Sequence, residues 1–457
     1  MERKTWLLTV FALTLLVFLA GCSAKRSSGK NHTPTGFVEK KAPYGFIGSL
    51  IEVDGKVAYK VRDEDKQFIV YNGTEGERYN QIMFPEVVGG KLTYRAMKGD
   101  KWVVVHNGKE GKKYDSISPI VDVGGIPAYK VQEGNKRFIV YNGTELGKEY
   151  YSVKYPVSVG GKLAFKALVN KTERNYKEMV VYNGKAGHIY DSVFHIVDVG
   201  GKPAYVARKD GRQFVVHNGK EIGKNYDRIK WPVSEVGGKL AYIASEGNKE
   251  FVVHGDKELG KDYSSLRGIV DIGGKPAYIV DGEPTYIPEK DTYLNKDFVV
   301  YDGEKISKKY GSIDYLVDID GKPAYEAVNN GSHFVVYDGK KGKKYDDIRH
   351  IADIGGNLGY IAEEGYDEVF VYKGKEGKKY DEIGNVNKDI VNVGGRPAYE
   401  VKKGNKKAVF YDGKKISEGY YSAKSPVNVD GKLAFAAIDE GPTEDPRGPD
   451  WYIVKEK

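Results

Sequence analysis

A five-residue unit, Gly-x-(Leu/Pro)-Ala-Tyr, sets the limits on what this chain can fold into. It stands at Gly55–Tyr59, Gly90–Tyr94, Gly125–Tyr129, Gly161–Phe165, Gly201–Tyr205 and Gly238–Tyr242. It continues at Gly274–Tyr278, Gly321–Tyr325, Gly356–Tyr360, Gly395–Tyr399 and Gly431–Phe435, giving eleven copies spaced mostly 35 to 40 residues apart. A period in this range means that each repeat is one supersecondary unit and that a continuous core forms only between neighbours. The excess of Tyr (36) over Phe (16) and the 57 Gly follow from the same repeat, since most of both fall at recurring positions.

One copy defines the unit. Ile120–Val123 is a short β-branched run and Gly124-Gly125 a turn; Pro127–Val131 is a second run, broken by Glu133-Gly134-Asn135. Arg137–Tyr141 is a third run, closed by Asn142-Gly143, a tight-hairpin signal. Glu149–Val153 reads as a fourth. Four short strands joined by tight turns make an antiparallel meander, and outside the N-terminal segment no stretch has helical apolar spacing. Repetition of such a sheet is the cue for a β-propeller. The copies resemble WD-like propeller repeats of the TolB type. The usual Ser-Pro-Asp-Gly of that family is mostly Val-Gly-Gly here, Pro426–Gly431 coming nearest. The resemblance therefore implies the fold more firmly than any activity.

The expected fold is all-β: a β-propeller built from eleven four-stranded antiparallel repeats. Propellers commonly have four to eight blades, so one large ring, two smaller rings and an open array all remain, with a possible seam at residues 282–296. The last copy ends after its third strand, near Trp451–Val454, and the segment Tyr44–Ile47 is placed to supply the missing fourth. Such pairing seals a ring.

The N-terminus reads as an address. Glu2, Arg3 and Lys4 precede an apolar run from Trp6 to Ala20, shorter than the roughly twenty residues a membrane span needs. Leu19-Ala20-Gly21-Cys22 looks like a bacterial lipobox, and Cys22 is the only cysteine in the chain. The resemblance implies a signal peptide at 1–21, a diacylglycerol thioether on Cys22 and an extracytoplasmic, lipid-anchored protein, periplasmic or on the cell surface. Residues 22–43, rich in Ser, Gly and Lys, read as a flexible tether to a repeat domain at 44–457.

Chemistry leaves few traces. There is no zinc-protease motif, no nucleophile elbow, no phosphate loop and no free thiol once Cys22 is acylated. No metal site, no cofactor and no catalytic residue are expected. A formal charge of +8 over 457 residues is too dilute for a nucleic-acid footprint. The longest insertions, Leu168–Lys177, Gly282–Lys296, Gly384–Lys388 and Asp439–Asp450, all fall in the two-to-three and four-to-one turns. That face is the expected binding face. Its four-to-one loops carry the candidate ligand-binding residues Phe84, Tyr155, Phe194, His195, Trp231, Arg267, Tyr315, Arg349 and His350. Other recurrent polar positions read as scaffold: the first-strand acids such as Asp122, Asp198 and Asp271, the Asp after the repeat Tyr (Asp115, Asp191), and His106, His217 and His254 in place of Tyr.

The function these features favour is non-catalytic: a membrane-tethered scaffold that binds an envelope protein or glycan. An envelope glycan- or peptide-processing hydrolase or lyase, and a structural subunit of an envelope assembly complex, are the competing readings.

Overall fold

The computed structural model describes residues 37–42, 47–171, 176–282, 285–287, 292–294, 296–384, 390–418, 420–438 and 451–457. They form eleven antiparallel four-stranded blades arranged as one closed ring, plus a two-stranded hairpin of Thr285–Ile287 and Thr292–Leu294, with no helix among them. One ring holds all eleven repeats, and the insertion at 282–296 falls within blade 7, between its second strand Lys275–Val280 and its third strand Phe298–Tyr301. The fold is an eleven-bladed β-propeller.

Blade 2 illustrates the order, from the axis outward: Gln81–Val88, Lys91–Lys98, Lys101–His106 and Lys109–Glu110. Burial follows that order. The second strand reads eBBBBBie and the third iiBBBi, whereas the outermost pair, Lys109 and Glu110, is exposed. The core lies between blades. Val53, Ala58 and Ile69 of blade 1 pack with Tyr79, Ile82, Tyr94 and Val103 across the junction to blade 2. Because each interface is built by two repeats, no blade can bury its own apolar faces alone.

The ring is sealed by Phe37–Ala42, which pairs antiparallel with Trp451–Glu456 in full register, Phe37 opposite Glu456 and Ala42 opposite Trp451. This strand comes from the segment expected to be a flexible tether, and it displaces the predicted sealing segment Tyr44–Ile47. Ile47 instead opens the first strand of blade 1, and residues 43–46 lie outside the described residues. The physical reason is the polarity of every outer strand. Glu39, Lys40 and Lys41 are exposed as Lys109 and Glu110 are, so a sealing strand looks like a linker by composition. Phe37 supplies the anchor, its ring edge-on to Phe435 at 6.2 Å. The signal peptide, Cys22 and the rest of the tether lie outside the described residues.

A second expectation is corrected at the crossover. Ser152–Val153 does not end blade 3; it pairs with the second strand of blade 4, and the fourth strand of blade 3 is Thr144–Leu146. The connection between blades is the Gly-Lys-Lys-Tyr-Asp tract. Its Tyr bridges back to its own blade, as Tyr114 does to Trp102, and buries against the next. The following Asp caps the next blade: Asp115 accepts the Gly134 N–H at 2.6 Å, and Asp191 the Asp210 N–H at 2.9 Å.

At the opposite end the Gly-Gly turns stack around the ring. A Cβ on Gly89 would sit 2.4 Å from the Gly125 carbonyl oxygen, so only glycine allows that approach. The first-strand acids fasten these turns. Asp122 accepts the N–H of its own Gly125 at 2.7 Å and that of Gly89, one blade back, at 2.9 Å. Asp271 does the same with Gly274 and Gly237. His217 and His254 approach the Val199 and Val236 carbonyls at 3.2 and 3.0 Å, where Tyr71 donates to Val53 at 3.3 Å. These positions are scaffold.

Candidate functional site

The candidate residues do not occupy loops between blades. They sit midway along the innermost strand, at a bulge that recurs around the ring. In blade 8, Asp314 pairs with Glu326 and Val317 with Ala324, so Tyr315 and Leu316 together face the single residue Tyr325. Blade 9 sets His350-Ile351 against Tyr360, and blade 2 sets Phe84-Pro85 against Tyr94. Tyr155-Pro156 and His195-Ile196 fill the corresponding gaps in blades 4 and 5, and residues 231–233 the gap in blade 6. The second member of the pair plugs the core, as Leu316 and Ile351 do, while the first is pushed out. Tyr155 and Tyr315 are accordingly 58% and 52% exposed. Tyr315 and His350 reach this geometry with φ of +52° and +61°, a left-handed conformation that blade 7 meets with Gly268. The side chains of Phe84 and Trp231 lie outside the described residues, as do residues 385–389, an insertion that interrupts the innermost strand of blade 10 between Ile383 and Val391. Ile383 and Val391, on either side of it, both pair with the second strand of blade 10, so the insertion does not join two different strands of the meander as expected.

The remaining candidates serve the scaffold. Phe194 packs against the core between blades 5 and 6. Arg267 and Arg349 act in an interblade clasp. An acceptor on the third strand takes an N–H from the next blade, while a cation of its own blade bridges it to a carbonyl there. Glu250 takes the Leu266 N–H at 2.8 Å while Lys230 joins Glu250 to the Leu266 carbonyl at 2.7 and 3.0 Å. Glu178 and Lys166 do the same at Val193. Arg349 joins Glu368 to the Ile383 carbonyl. Arg267 spans Asp281, Asp297 at 2.7 Å and Asp314 at 2.9 Å. Asp297 is almost fully buried, and burial pushes its carboxyl up despite the N–H of Gly282 and the Arg267 charge.

Between blades 3 and 4 the clasp is missing its acid. Where other third strands carry Glu178, Glu250 or Glu368, blade 3 has Arg137, and its second strand adds Lys130. Ser116, Ser118, Gln132 and Tyr155 complete a pocket of ≈ 260 Å³ whose lining holds two cations and no carboxylate. Lys130 Nζ lies 4.1 Å from the centroid of the Tyr155 ring. Burial, and then the like charges of Arg137 and Lys154, hold the Lys130 ammonium below its ordinary range. Among the described residues Arg137 is engaged only through its Nε, to the Gln132 side chain at 3.3 Å. Sequence reasoning found Tyr155 and missed Lys130 and Arg137. Aligning the repeats position by position exposes Arg137, which stands where blades 4, 6 and 9 carry Glu178, Glu250 and Glu368; Lys130 keeps the cation that Lys60, Arg95 and Lys166 also supply, so it is marked only by the absence of that acid.

No protein-family model matches the chain, and no curated protein matches it. Among solved structures it is similar to a eukaryotic initiation factor, with 8% identity over 69% of this chain and 90% of that one and a TM-score of 0.39. It is also similar to the β-propeller domain of the Trilobed protease from Pyrococcus furiosus, with 12% identity over 74% and 97% of the two chains and a TM-score of 0.27. Prolyl endopeptidases give 10% identity over 80% and 55%, with a TM-score of 0.30. At these scores the strand pairing itself carries the fold argument.

Proposed function

We propose that this protein is a non-catalytic binding scaffold, tethered to the outer side of a membrane through lipidated Cys22, and that its inner wall holds an acidic segment of an envelope glycan or protein. The observation that carries the reading is the Tyr155 pocket. It combines two cations that have no carboxylate partner among the described residues with an exposed aromatic ring, where the clasps of blades 4, 6, 7 and 9 pair their cation with an acid. A carboxylate or sulfate would take the place of the missing Glu, and Tyr155 offers a flat apolar face for a sugar ring or a side chain beside it. The bulge residues Tyr315, His195 and His350 stand at equivalent heights in other blades, so a long ligand would meet several weak contacts.

The test is site-specific photo-crosslinking in the membrane-bound protein, with the photoreactive group at residue 155 or 315 and, as a control, at the fully exposed Tyr366 in a two-to-three turn. Adducts from 155 and 315 but not from 366 support the reading. Adducts from 366 alone, or from none, overturn it. Retention in the membrane fraction, lost in Cys22→Ser, tests the anchor.

A further inference from the structure

The junction of blades 8 and 9 departs from the clasp in the opposite sense. Its second strand carries Glu326 where blades 1, 2, 3 and 4 have Lys60, Arg95, Lys130 and Lys166. Its third strand carries His333 in place of the usual acceptor, and blade 9 has Asp347 where six other blades have Ser. The three side chains converge. His333 Nδ1 is 2.5 Å from Glu326 Oε1 and 3.3 Å from Asp347 Oδ1, and the three ligand atoms lie within 4.8 Å of one another.

The charge balance of this cluster is incomplete. Glu326 is only 4% exposed and makes no hydrogen bond beyond His333 among the described residues. Asp314 also faces it, but that acid is taken by Arg267 at 2.9 Å. Blade 10 provides the comparison. Glu400 occupies the same position and is equally buried, yet it has the permanent cation Lys407 at 2.5 Å and the Ser425 N–H at 3.1 Å. Glu326 has a histidine and a second carboxylate instead. A buried carboxylate needs a charge partner, and one imidazole with two carboxylates is a donor set for a divalent transition metal.

We infer that Glu326, His333 and Asp347 form a divalent transition-metal site that clamps blade 8 to blade 9. His333 would ligate through Nδ1 and each acid through one oxygen. Tetrahedral ligands at zinc-ligand lengths lie ~3.3 Å apart, which the His333–Asp347 pair already matches, while the His333–Glu326 contact must open by under an ångström. Asp347 is about half exposed and the cluster opens to solvent there, which leaves room for a water as the fourth ligand. Asp347 Oδ1 also accepts the Ile348 N–H at 2.9 Å, which fixes its carboxylate in place.

The experiment uses the full chain, stripped with chelator and titrated with Zn²⁺ in competition with a metal indicator, and with Co²⁺ to read visible d–d absorption. One Zn²⁺ per chain is expected, with binding at least tenfold weaker in Glu326→Gln and in His333→Gln. Lys407→Gln, at the corresponding place in blade 10, is expected to leave stoichiometry and affinity unchanged. Far-UV circular dichroism checks that each variant is folded. If wild-type protein binds no Zn²⁺, or binds it equally well after both substitutions, the site does not exist.

Discussion

Raising the pH tests the interblade packing through its tyrosines. Tyr59, Tyr94 and Tyr129 are buried to below a tenth exposure, each wedged at a blade junction. Burial pushes each phenol up to about 12, with the nearby carboxylates Glu75, Glu110 and Glu145 adding to it. In the unfolded chain these groups ionise near 10. Above that pH the unfolded state releases protons that the folded state keeps, so their effect on stability is nil below pH 10 and turns unfavourable as pH rises through 10 to about 12. Each phenol then withdraws ~1.4 kcal/mol at pH 11 and ~2.3 kcal/mol at pH 12. Three of them, taken as additive, remove ~7 kcal/mol at pH 12, within the range of a whole domain's stability. The assay is a pH titration followed by phenolate absorbance and by far-UV circular dichroism together. Cooperative loss of sheet signal between pH 10 and 12, coincident with the main rise in phenolate, is expected. A gradual phenolate titration centred near pH 10 with the sheet signal intact would refute the packing argument.

Other perturbations probe the ring's closure and its inner turns. Phe37→Ala removes the ring that the sealing strand sets against Phe435 and should cost about 3 to 5 kcal/mol in urea unfolding; a loss below about 1 kcal/mol would mean that this strand does not seal the ring. Gly160→Ala places a Cβ 2.5 Å from the Gly201 carbonyl oxygen at a φ of +55°. Gly184→Ala has a similarly positive φ, +74°, but nothing within 4 Å. The first should lower the urea midpoint clearly more than the second, whose cost is about 1 kcal/mol, and equal effects would deny the turn-to-turn contact. Tyr315→Gly should leave stability unchanged or raise it by up to about 1 kcal/mol by relieving the left-handed conformation. A large loss of stability would show that Tyr315 is part of the core.

The repeat made the fold legible, because Gly-x-(Leu/Pro)-Ala-Tyr marks the turn and the buried second strand in every copy. Blade boundaries were less legible. Tyr150, Tyr151, Ser152 and Val153 form one β-prone run, yet the chain passes between blades within it, and only pairing partners distinguish the two halves. The sealing strand was hidden for another reason: Glu39, Lys40 and Lys41 look like a linker because an outermost strand has little to bury. Of the candidate site, Tyr155, His195, Tyr315 and His350 were identified as exceptions to the repeat, but their bulge was not, since a two-for-one mismatch across strands has no signature along one of them. Arg267 and Arg349 were indistinguishable in sequence from ligand-binding cations until their acids, Asp297 and Glu368, were placed beside them.

The central claim is that the Tyr155 pocket selects an anionic ligand. Its most direct measurement compares binding of polygalacturonate, polyglutamate and neutral dextran by the wild-type chain and by a Lys130→Gln/Arg137→Gln variant, at low and at high salt. Binding of at least one of the two acidic polymers, weakened at least tenfold by the double substitution and weakened again by salt, with none to dextran, is the result the structure predicts. Undiminished binding in the variant, or no preference for the acidic polymers over dextran, would contradict it.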